Sequence, residues 1–287
     1  MQTTKHQHFV PRMYLKQWVH HSEKNDMLYV ISPKSGNSTI FEKSYDDELF
    51  YEDYCYDVTS LDGEVLTENE IEKELGKYES RHQRLLSRVL DRCKKREKVI
   101  DKGTNRLSDF MEFVGLMAVR NPKNPLPMQT IFDDRVISSV GFANALIAVF
   151  GECFEFTGTK VAAVAARRKM LFKMADEFKK IEPTVYFFEA PKGVSFITSD
   201  NPVLVFHEYI YLPLSPKYAV YILLDESKKL CVSPGTVNII TEEAVLQLNR
   251  LYLRHDVSTL VGADEDILKQ TLPIEMVTEN DETGTVN

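Results

Sequence analysis

The spacing of hydrophobic residues near the start of the chain is typical of strands. Residues 27–31 and 38–41 are short apolar runs, and Pro33 and Gly36 lie in the turn-forming stretch between them. Two β-prone runs separated by such turn residues predict a hairpin. Before this hairpin, the apolar side chains that follow Pro11 recur at helical spacing, which predicts a short helix after an extended segment.

A helical pattern occupies the middle of the chain. Apolar residues recur at helical spacing over residues 68–97 and again over 106–120, and two further helices are predicted over 130–150 and 159–181. Together these segments predict a block of about four helices over residues 68–181.

Short β-prone runs bounded by proline and glycine replace the helices after residue 183. They cover residues 185–188, 194–197, 203–206 and 218–224. A helix over 242–255 and a short strand over 258–261 are expected to follow. The order of strands, then helices, then strands predicts an α+β fold. In it, the helical block packs on a mostly antiparallel sheet built from the N-terminal hairpin and the C-terminal strands.

The length and the element order favour one composite domain. A chain of 287 residues suits one large domain or two small ones. Because the hairpin and the late strands are expected to share a sheet, we predict a single α+β domain over residues 1–262, with its β-rich part at about 183–262. Residues 275–287 are polar and acidic, and we expect a disordered tail there.

Charge is distributed unevenly along the chain. The formal net charge of −8 argues against a general binder of nucleic acid or anionic membranes. However, residues 46–79 hold 13 acidic residues and 2 lysines, whereas residues 81–106 hold 10 basic and 3 acidic residues. One interpretation is a solvated helix whose charges follow the helix dipole. The other is a basic patch that contacts phosphate groups. Its residues would be Arg84, Arg88, Arg92, Lys95 and Arg96.

The sequence lacks the signals that direct a chain to a membrane. No apolar run approaches the ~18 residues of a membrane span, and the first residues lack the apolar stretch of a signal peptide. The four cysteines include no CxxC pair, so neither a zinc ribbon nor a thioredoxin-like site is indicated. We therefore expect a cytoplasmic protein with reduced, structural cysteines and no membrane partner.

Two stretches carry the candidate chemistry, and the first lies at the N-terminus. His8 and Arg12 lie four residues apart, where an extended segment turns into a helix. Such a transition would bring both side chains close to backbone N–H groups, a combination that suits a phosphate or carboxylate anion. His8 is also a candidate general acid or base near neutral pH. The alternative is that both residues tie the N-terminal segment to the body through hydrogen bonds.

The second stretch is the Thr-Ser-Asp-Asn-Pro sequence that follows an apolar run. Asp200 and Asn201 would stand at the end of a strand, where Asp200 could ligate a metal, accept a proton or pair with an arginine. Asn201 could orient a substrate. The same residue types also form turns by hydrogen bonding to their own backbone, so both interpretations stay open.

Four segments carry the most specific sequence motifs of the chain. They are HFVPRMYLKQW at residues 8–18, AVRNP at 118–122, FITSDNPV at 196–203 and LPLSP at 212–216. Together they resemble a bacterial family known as domain of unknown function 4238, over about residues 6–262. The matching polar positions, taken residue by residue, are His8, Arg12, Arg120, Asp200 and Asn201, with Glu79 as a looser candidate.

The resemblance implies one composite pocket at the junction of the helical block and the sheet. His8, Asp200 and Asn201 would be catalytic there, and Arg12 and Arg120 would bind the substrate. Such a set suits a phosphodiesterase or nuclease-like hydrolase with Mg²⁺ held by carboxylates. Some relatives resemble components of anti-phage defence loci, so the expected partner is a nucleic acid, a nucleotide or a phage component.

Two alternatives to an enzyme stay open. The chain could be a non-enzymatic sensor or interaction protein whose basic helix is an exposed contact surface, with Arg88 and Arg92 in it. The motif residues could also form a buried ion-pair network that holds the two halves of the chain together.

Overall fold

The computed structural model describes residues 5–21, 26–33, 39–53, 55–56, 69–121, 171–173, 175–225, 227–255 and 257–272. The predicted helix over 130–150, most of the one over 159–181 and the predicted tail over 275–287 lie outside these residues.

Strands lie at both ends of the described chain and helices lie mainly between them. The strands are β1 (His6–His8), β2 (His20–His21), β3 (Asp26–Ile31), β4 (Phe41–Ser44), β5 (Tyr51–Asp53), β6 (Thr184–Glu189), β7 (Thr198–Ser199), β8 (Leu204–Val205), β9 (Tyr209–Pro213), β10 (Tyr218–Leu223), β11 (Val237–Ile239) and β12 (Leu260–Gly262). The helices are α1 (Arg12–Leu15), α2 (Glu70–Lys95), α3 (Asn105–Val119), α4 (Glu242–Asn249) and α5 (Glu265–Thr271), with helical residues also at 171–173 and 175–179.

The two long helices form where the sequence predicts them. α2 buries an apolar stripe that includes Leu75, Leu86 and Val89, as the helical spacing of these residues requires. α3 begins at a Thr104 cap, whose side chain accepts a hydrogen bond from a backbone N–H of the first turn. Gly115 of α3 lies against the Phe178 side chain, and a Cβ added there would meet it at 2.5 Å.

The first sheet is built only from C-terminal strands, in the order β11-β6-β10-β9-β8. Its pairs are antiparallel except β11 with β6, which is parallel. Directly opposed residues on neighbouring strands share a face. One face therefore carries aliphatic residues and Phe187, which contacts Phe110 of α3 with the ring centroids 6.1 Å apart. The other face carries aromatic side chains, namely Tyr186, Phe188, Tyr209, Tyr211 and Tyr221.

The second sheet joins the two ends of the chain. Its order is β2-β3-β12-β7, and β4 also pairs with β3. The antiparallel pairing of β3 with β4 confirms the predicted hairpin, and the pairing of β3 with β12 confirms that the hairpin joins C-terminal strands. A separate ribbon of β1 and β5 holds the first residues of the described chain.

The α+β class is confirmed, and the strand arrangement differs from the prediction in detail. The strands form two five-stranded sheets and a ribbon, where the sequence led us to expect one sheet. Residues 194–197 are not a strand, and β9, β11 and α5 were not predicted. β9 is a short run of nearly all apolar residues, like β6 and β10, so the signal that predicted those strands could also have found it.

The described helices are too short or too polar to cross a membrane.

Candidate functional site

His8 lies at the end of β1, opposite Tyr51 of β5. Its side chain is buried, with the residue 6% exposed, and the Nε2 atom has no hydrogen-bond partner among the described residues. The nearest carboxylate oxygen, Asp46 Oδ1, lies 3.6 Å from that nitrogen. Burial, and after it the positive charges of Arg12 and Arg120, lower the pKa of His8 to about 3. The imidazole is therefore neutral near pH 7.

Arg12 begins α1 and lies beside the same carboxylate. Its Nε atom is 2.5 Å from Asp46 Oδ1, and about half of its side chain is exposed, at 54%. Asp46 is itself 43% exposed. We call His8, Arg12 and Asp46 the N-terminal cluster. It combines an exposed guanidinium group with a buried imidazole nitrogen that lacks a hydrogen-bond partner in the described part of the chain.

Arg120 follows α3 and is buried, at 2% exposure. Its Nη1 atom lies 2.7 Å from a carboxylate oxygen of Glu79, its Nε atom donates to the Tyr56 hydroxyl at 3.2 Å, and its Nη2 atom donates to the His8 carbonyl oxygen. Burial alone would lower the pKa of Arg120, but Tyr56 and Glu79 outweigh that effect and raise it. Arg120 is thus a charged group whose nitrogen atoms all contact acceptors of this chain.

Asp200 directs its carboxylate at the backbone before β12. Its Oδ1 atom accepts hydrogen bonds from the Ser258 N–H at 3.1 Å and the Thr259 N–H at 3.2 Å, and the residue is 1% exposed. Asn201 is also buried, and its N–H donates to the Ser199 hydroxyl at 3.0 Å. The Ser199–Asn201 contact is of the local, turn-forming kind, whereas the Asp200 carboxylate binds a distant segment of the backbone. Direct contact of Asp200 or Asn201 with a substrate stays a prediction.

The end of α3 brings the separated motifs together through backbone carbonyl groups. Arg120 donates to the carbonyl oxygen of His8, and the neighbouring Asn121 donates its Nδ2–H to the carbonyl oxygen of Asp200 at 2.6 Å. The two junctions differ in the surroundings of the side chains whose carbonyl groups they bind. The His8 imidazole faces Arg12 and Asp46, whereas the Asp200 carboxylate binds backbone amides near β12.

Tyr14 links three motifs and was not predicted as a key residue. Its hydroxyl lies 2.7 Å from Thr198 Oγ1 and donates to the Pro213 carbonyl oxygen at 2.7 Å. Asn249 of α4 plays a similar part, because its Oδ1 accepts from the Ile197 N–H at 3.1 Å. Hydrogen bonds between distant segments leave no local pattern in a sequence, so only the place of Tyr14 within the first motif could have indicated it, and Asn249 lies outside the four motifs.

The basic patch predicted on α2 is largely paired within the chain. Lys95 lies 2.7 Å from Asp91, and Arg96 lies 3.4 Å from Glu189. Arg92 donates to the Lys98 carbonyl oxygen at 2.8 Å. These three cations are therefore engaged by acceptors of the chain, which matches the solvated-helix interpretation for this part of α2.

Arg84 and Arg88 are the members of the basic patch that stay exposed without a partner in the described part of the chain. They line a cavity of about 250 Å³ together with Arg81 and Asp109. Arg81 pairs there with the buried carboxylate of Glu112. Lys179 and His82 also lie within 3.3 Å of that carboxylate. Burial alone would raise the pKa of Glu112, but these neighbours outweigh it and lower the pKa.

A metal site is not formed by the described residues: no three of their histidine, cysteine, aspartate or glutamate side chains lie together as metal ligands would. The Mg²⁺ ion that the resemblance implies therefore has no assigned ligand set in this part of the chain.

The comparison with protein families agrees with the motifs. The model of the family described as "Protein of unknown function (DUF4238)" matches residues 6–266, which is most of the chain. The chain therefore belongs to the DUF4238 family. The searches of curated proteins and of solved structures found no match.

Proposed function

We propose that this protein binds a phosphate-bearing ligand, a nucleotide or a nucleic acid, at the N-terminal cluster. One observation carries the proposal: the half-exposed guanidinium group of Arg12 lies beside a buried imidazole nitrogen of His8 that has no hydrogen-bond partner in the described chain. A buried polar atom without a partner costs stability. A ligand oxygen that accepts or donates a hydrogen bond there would remove this cost.

The cluster divides the recognition between two groups. Asp46 contacts Arg12 through the Nε atom, which leaves the two terminal nitrogens for a phosphate, the geometry in which arginine binds such groups best. The neutral His8 offers one nitrogen as donor or acceptor. An anion bound beside it would stabilise the protonated imidazole, so ligand binding is coupled to proton uptake by His8.

The other motif residues act as positioning residues in this proposal. Arg120 holds the His8 backbone through its carbonyl oxygen, and Asn121 does the same for Asp200. Asp46 opposes the ligand, because a carboxylate beside a phosphate is repulsive. Its position next to Arg12 keeps the empty cluster close to neutral.

Calorimetric titration with inorganic pyrophosphate tests the proposal. The Arg12→Gln variant should bind at least about tenfold more weakly than the natural chain, because hydrogen bonds to charged groups contribute about 1.5–3 kcal/mol each. The matched control is Arg88→Gln, which removes an exposed arginine of α2 that has no partner in the described chain. Loss of binding in Arg88→Gln with binding kept in Arg12→Gln would overturn the proposal in favour of the basic helix.

The biological setting that we propose is anti-phage defence, and it is supported only by the family resemblance. Cells expressing the natural chain should then give fewer phage plaques than cells expressing Arg12→Gln at equal protein level. Equal plaque numbers would show that ligand binding at the N-terminal cluster does not contribute to defence against phage.

A further inference from the structure

A groove lies between the aromatic face of the first sheet and the C-terminal helical segment. Its volume is about 580 Å³, which is within the range of pockets that bind small molecules. Phe188, Tyr209 and Tyr221 of the sheet line one side. Leu248 of α4 lines the other, together with Arg250, Leu251 and Arg254 of the 3₁₀ turn that spans Arg250–Arg254. This groove contains none of the residues of the N-terminal cluster.

The sheet side of the groove belongs to a continuous row of aromatic rings. The rings of Phe206 and Tyr209 stack with their centroids 4.3 Å apart, and those of Tyr209 and Tyr221 stack at 4.5 Å. Phe188 follows at 6.3 Å from Tyr221. His255 meets the other end of the row, 4.6 Å from Phe206. The row is a continuous set of stacked and tilted rings that reaches across three neighbouring strands.

Two tyrosine hydroxyl groups of this row have no hydrogen-bond partner in the described part of the chain. They belong to Tyr209 and Tyr221, which are both only partly buried. Burial raises the pKa of each phenol, so both are protonated donors near pH 7. Because both residues are partly exposed, their hydroxyl groups are open to water or to a ligand. These two are placed to donate to a ligand in the groove.

The helical side of the groove is positively charged. Arg250 and Arg254 are exposed, and Arg250 donates to the Gln270 carbonyl oxygen at 3.2 Å without a carboxylate partner in the described chain. Arg254 has no hydrogen bond or ion pair with the described residues. Its positive charge lies close enough to Tyr209 to oppose the effect of burial on the pKa of that phenol. The nearest acid on the sheet side, Glu208, pairs with Lys228. The groove therefore carries two positive charges that the described residues do not neutralise.

We propose that the groove binds a nucleoside monophosphate or a closely similar ring-bearing organic phosphate. The ring would lie against Tyr221 and Leu248, and the phosphate would meet Arg250 and Arg254. Aromatic side chains beside arginines are the combination by which proteins hold a base and its phosphate. A free phosphate would make no contact with the apolar wall of the groove. An uncharged ring would form no ion pair with the two arginines.

Calorimetric titration of the full chain with AMP tests the proposal. Adenosine and ribose 5-phosphate each carry one half of the recognised chemistry, and each should bind at least about tenfold more weakly than AMP. The Arg254→Gln variant should bind AMP about tenfold more weakly, since a charge-assisted hydrogen bond is lost. The matched control Arg84→Gln removes an equally exposed arginine from α2 and should leave the affinity for AMP unchanged. Decanoate serves as an apolar anion without a ring.

The proposal is overturned if ribose 5-phosphate binds as tightly as AMP, if decanoate binds more tightly than AMP, or if AMP does not bind. A Tyr221→Leu variant keeps an apolar side chain and removes the ring and its hydroxyl, and it should weaken AMP binding while a melting curve shows that the protein is still folded. The Arg12→Gln variant distinguishes the two sites. Binding of AMP that is lost in Arg12→Gln and kept in Arg254→Gln would contradict the groove and leave the N-terminal cluster standing.

Discussion

The junction around Arg120 and the N-terminal cluster are built from the same family motifs, but they use their polar groups in opposite ways. Arg120 is buried and all its guanidinium nitrogens contact acceptors of the chain. Arg12 is half exposed and contacts one carboxylate oxygen through its Nε atom. A buried charge that meets acceptors on every side is costly to disturb. An exposed charge with free donors is available to a ligand.

This difference separates stability from recognition within one set of motif residues. Substitutions at the Arg120 junction should lower the stability of the protein, whereas substitutions at Arg12 or Asp46 should change binding and leave stability almost unchanged. The predictions below test that separation.

The largest loss of stability is expected for Arg120→Met. This change leaves the Glu79 carboxylate and the His8 carbonyl oxygen without their shared partner. Breaking a buried ion pair from one side costs about 3–5 kcal/mol, and we expect the lower part of this range because Glu79 is 31% exposed. Urea unfolding followed by circular dichroism measures the loss. Arg88→Met, at an exposed position of α2, is the control, and equal losses in both variants would contradict the comparison.

A smaller loss is expected for Asp200→Asn. The amide keeps the size of the side chain and one acceptor oxygen, but it replaces charge-assisted bonds to the Ser258 and Thr259 amides. Such bonds contribute about 1.5–3 kcal/mol, so the free energy of unfolding should fall by about 2 kcal/mol. If Asp200→Asn left stability unchanged and abolished pyrophosphate binding, Asp200 would be a ligand-binding residue and the positioning role would be wrong.

The stability of the protein should depend on pH through His8. Its pKa is about 3 in the folded state against 6.5 for an ordinary histidine. The contribution of His8 to the free energy of unfolding is therefore fully present above pH 6.5. It is lost as the pH falls toward 3, because His8 of the unfolded chain is protonated at a higher pH than His8 of the folded chain. One such group contributes a slope of at most about 1.4 kcal/mol per pH unit in this window. When the free energy of unfolding is plotted against pH, the natural chain and the His8→Gln variant should differ by this slope between pH 3 and 6.5. Parallel plots would contradict the low pKa.

The smallest effect on stability is expected for Asp46→Asn. The ion pair with Arg12 is exposed, and exposed pairs contribute about 0–1 kcal/mol. Removing this carboxylate should raise the affinity for pyrophosphate severalfold, since it removes a repulsive charge from the cluster. A lower affinity would instead show that Asp46 acts together with His8 on the ligand. The same calorimetric titration as for Arg12→Gln measures the change.

The periodicity of the sequence predicts the elements whose burial is one-sided. α2 and α3 lie within two residues of their predicted limits at the start, and the hairpin of β3 and β4 is in place. α5 carried a signal that could have been used: Asp264 caps its first turn and precedes the apolar pair Ile267 and Leu268. β11 is only three partly exposed residues long and pairs in parallel with β6, so no local pattern marks it.

The sequence indicated two of the three residues of the N-terminal cluster, and it did not indicate their geometry. His8, Arg12 and Arg120 could be named from the motifs, and Arg120 does meet His8. Asp46 could not be named, because it lies in an acidic stretch that offers many equivalent carboxylates. The bonds of Asp200 to the backbone before β12 depend on the register of β12 against β7, which long-range packing decides.

The hydroxyl of Tyr14 also constrains the order in which this chain can become native. Its two hydrogen-bond partners lie 184 and 199 residues further along the sequence, and β3 of the hairpin must likewise wait for β12. Contacts of such separation form late and slowly. During synthesis, the N-terminal segment therefore leaves the ribosome before the residues with which it forms hydrogen bonds. The helix that carries Arg12 gains the contacts of Tyr14 only after residue 213 has been made.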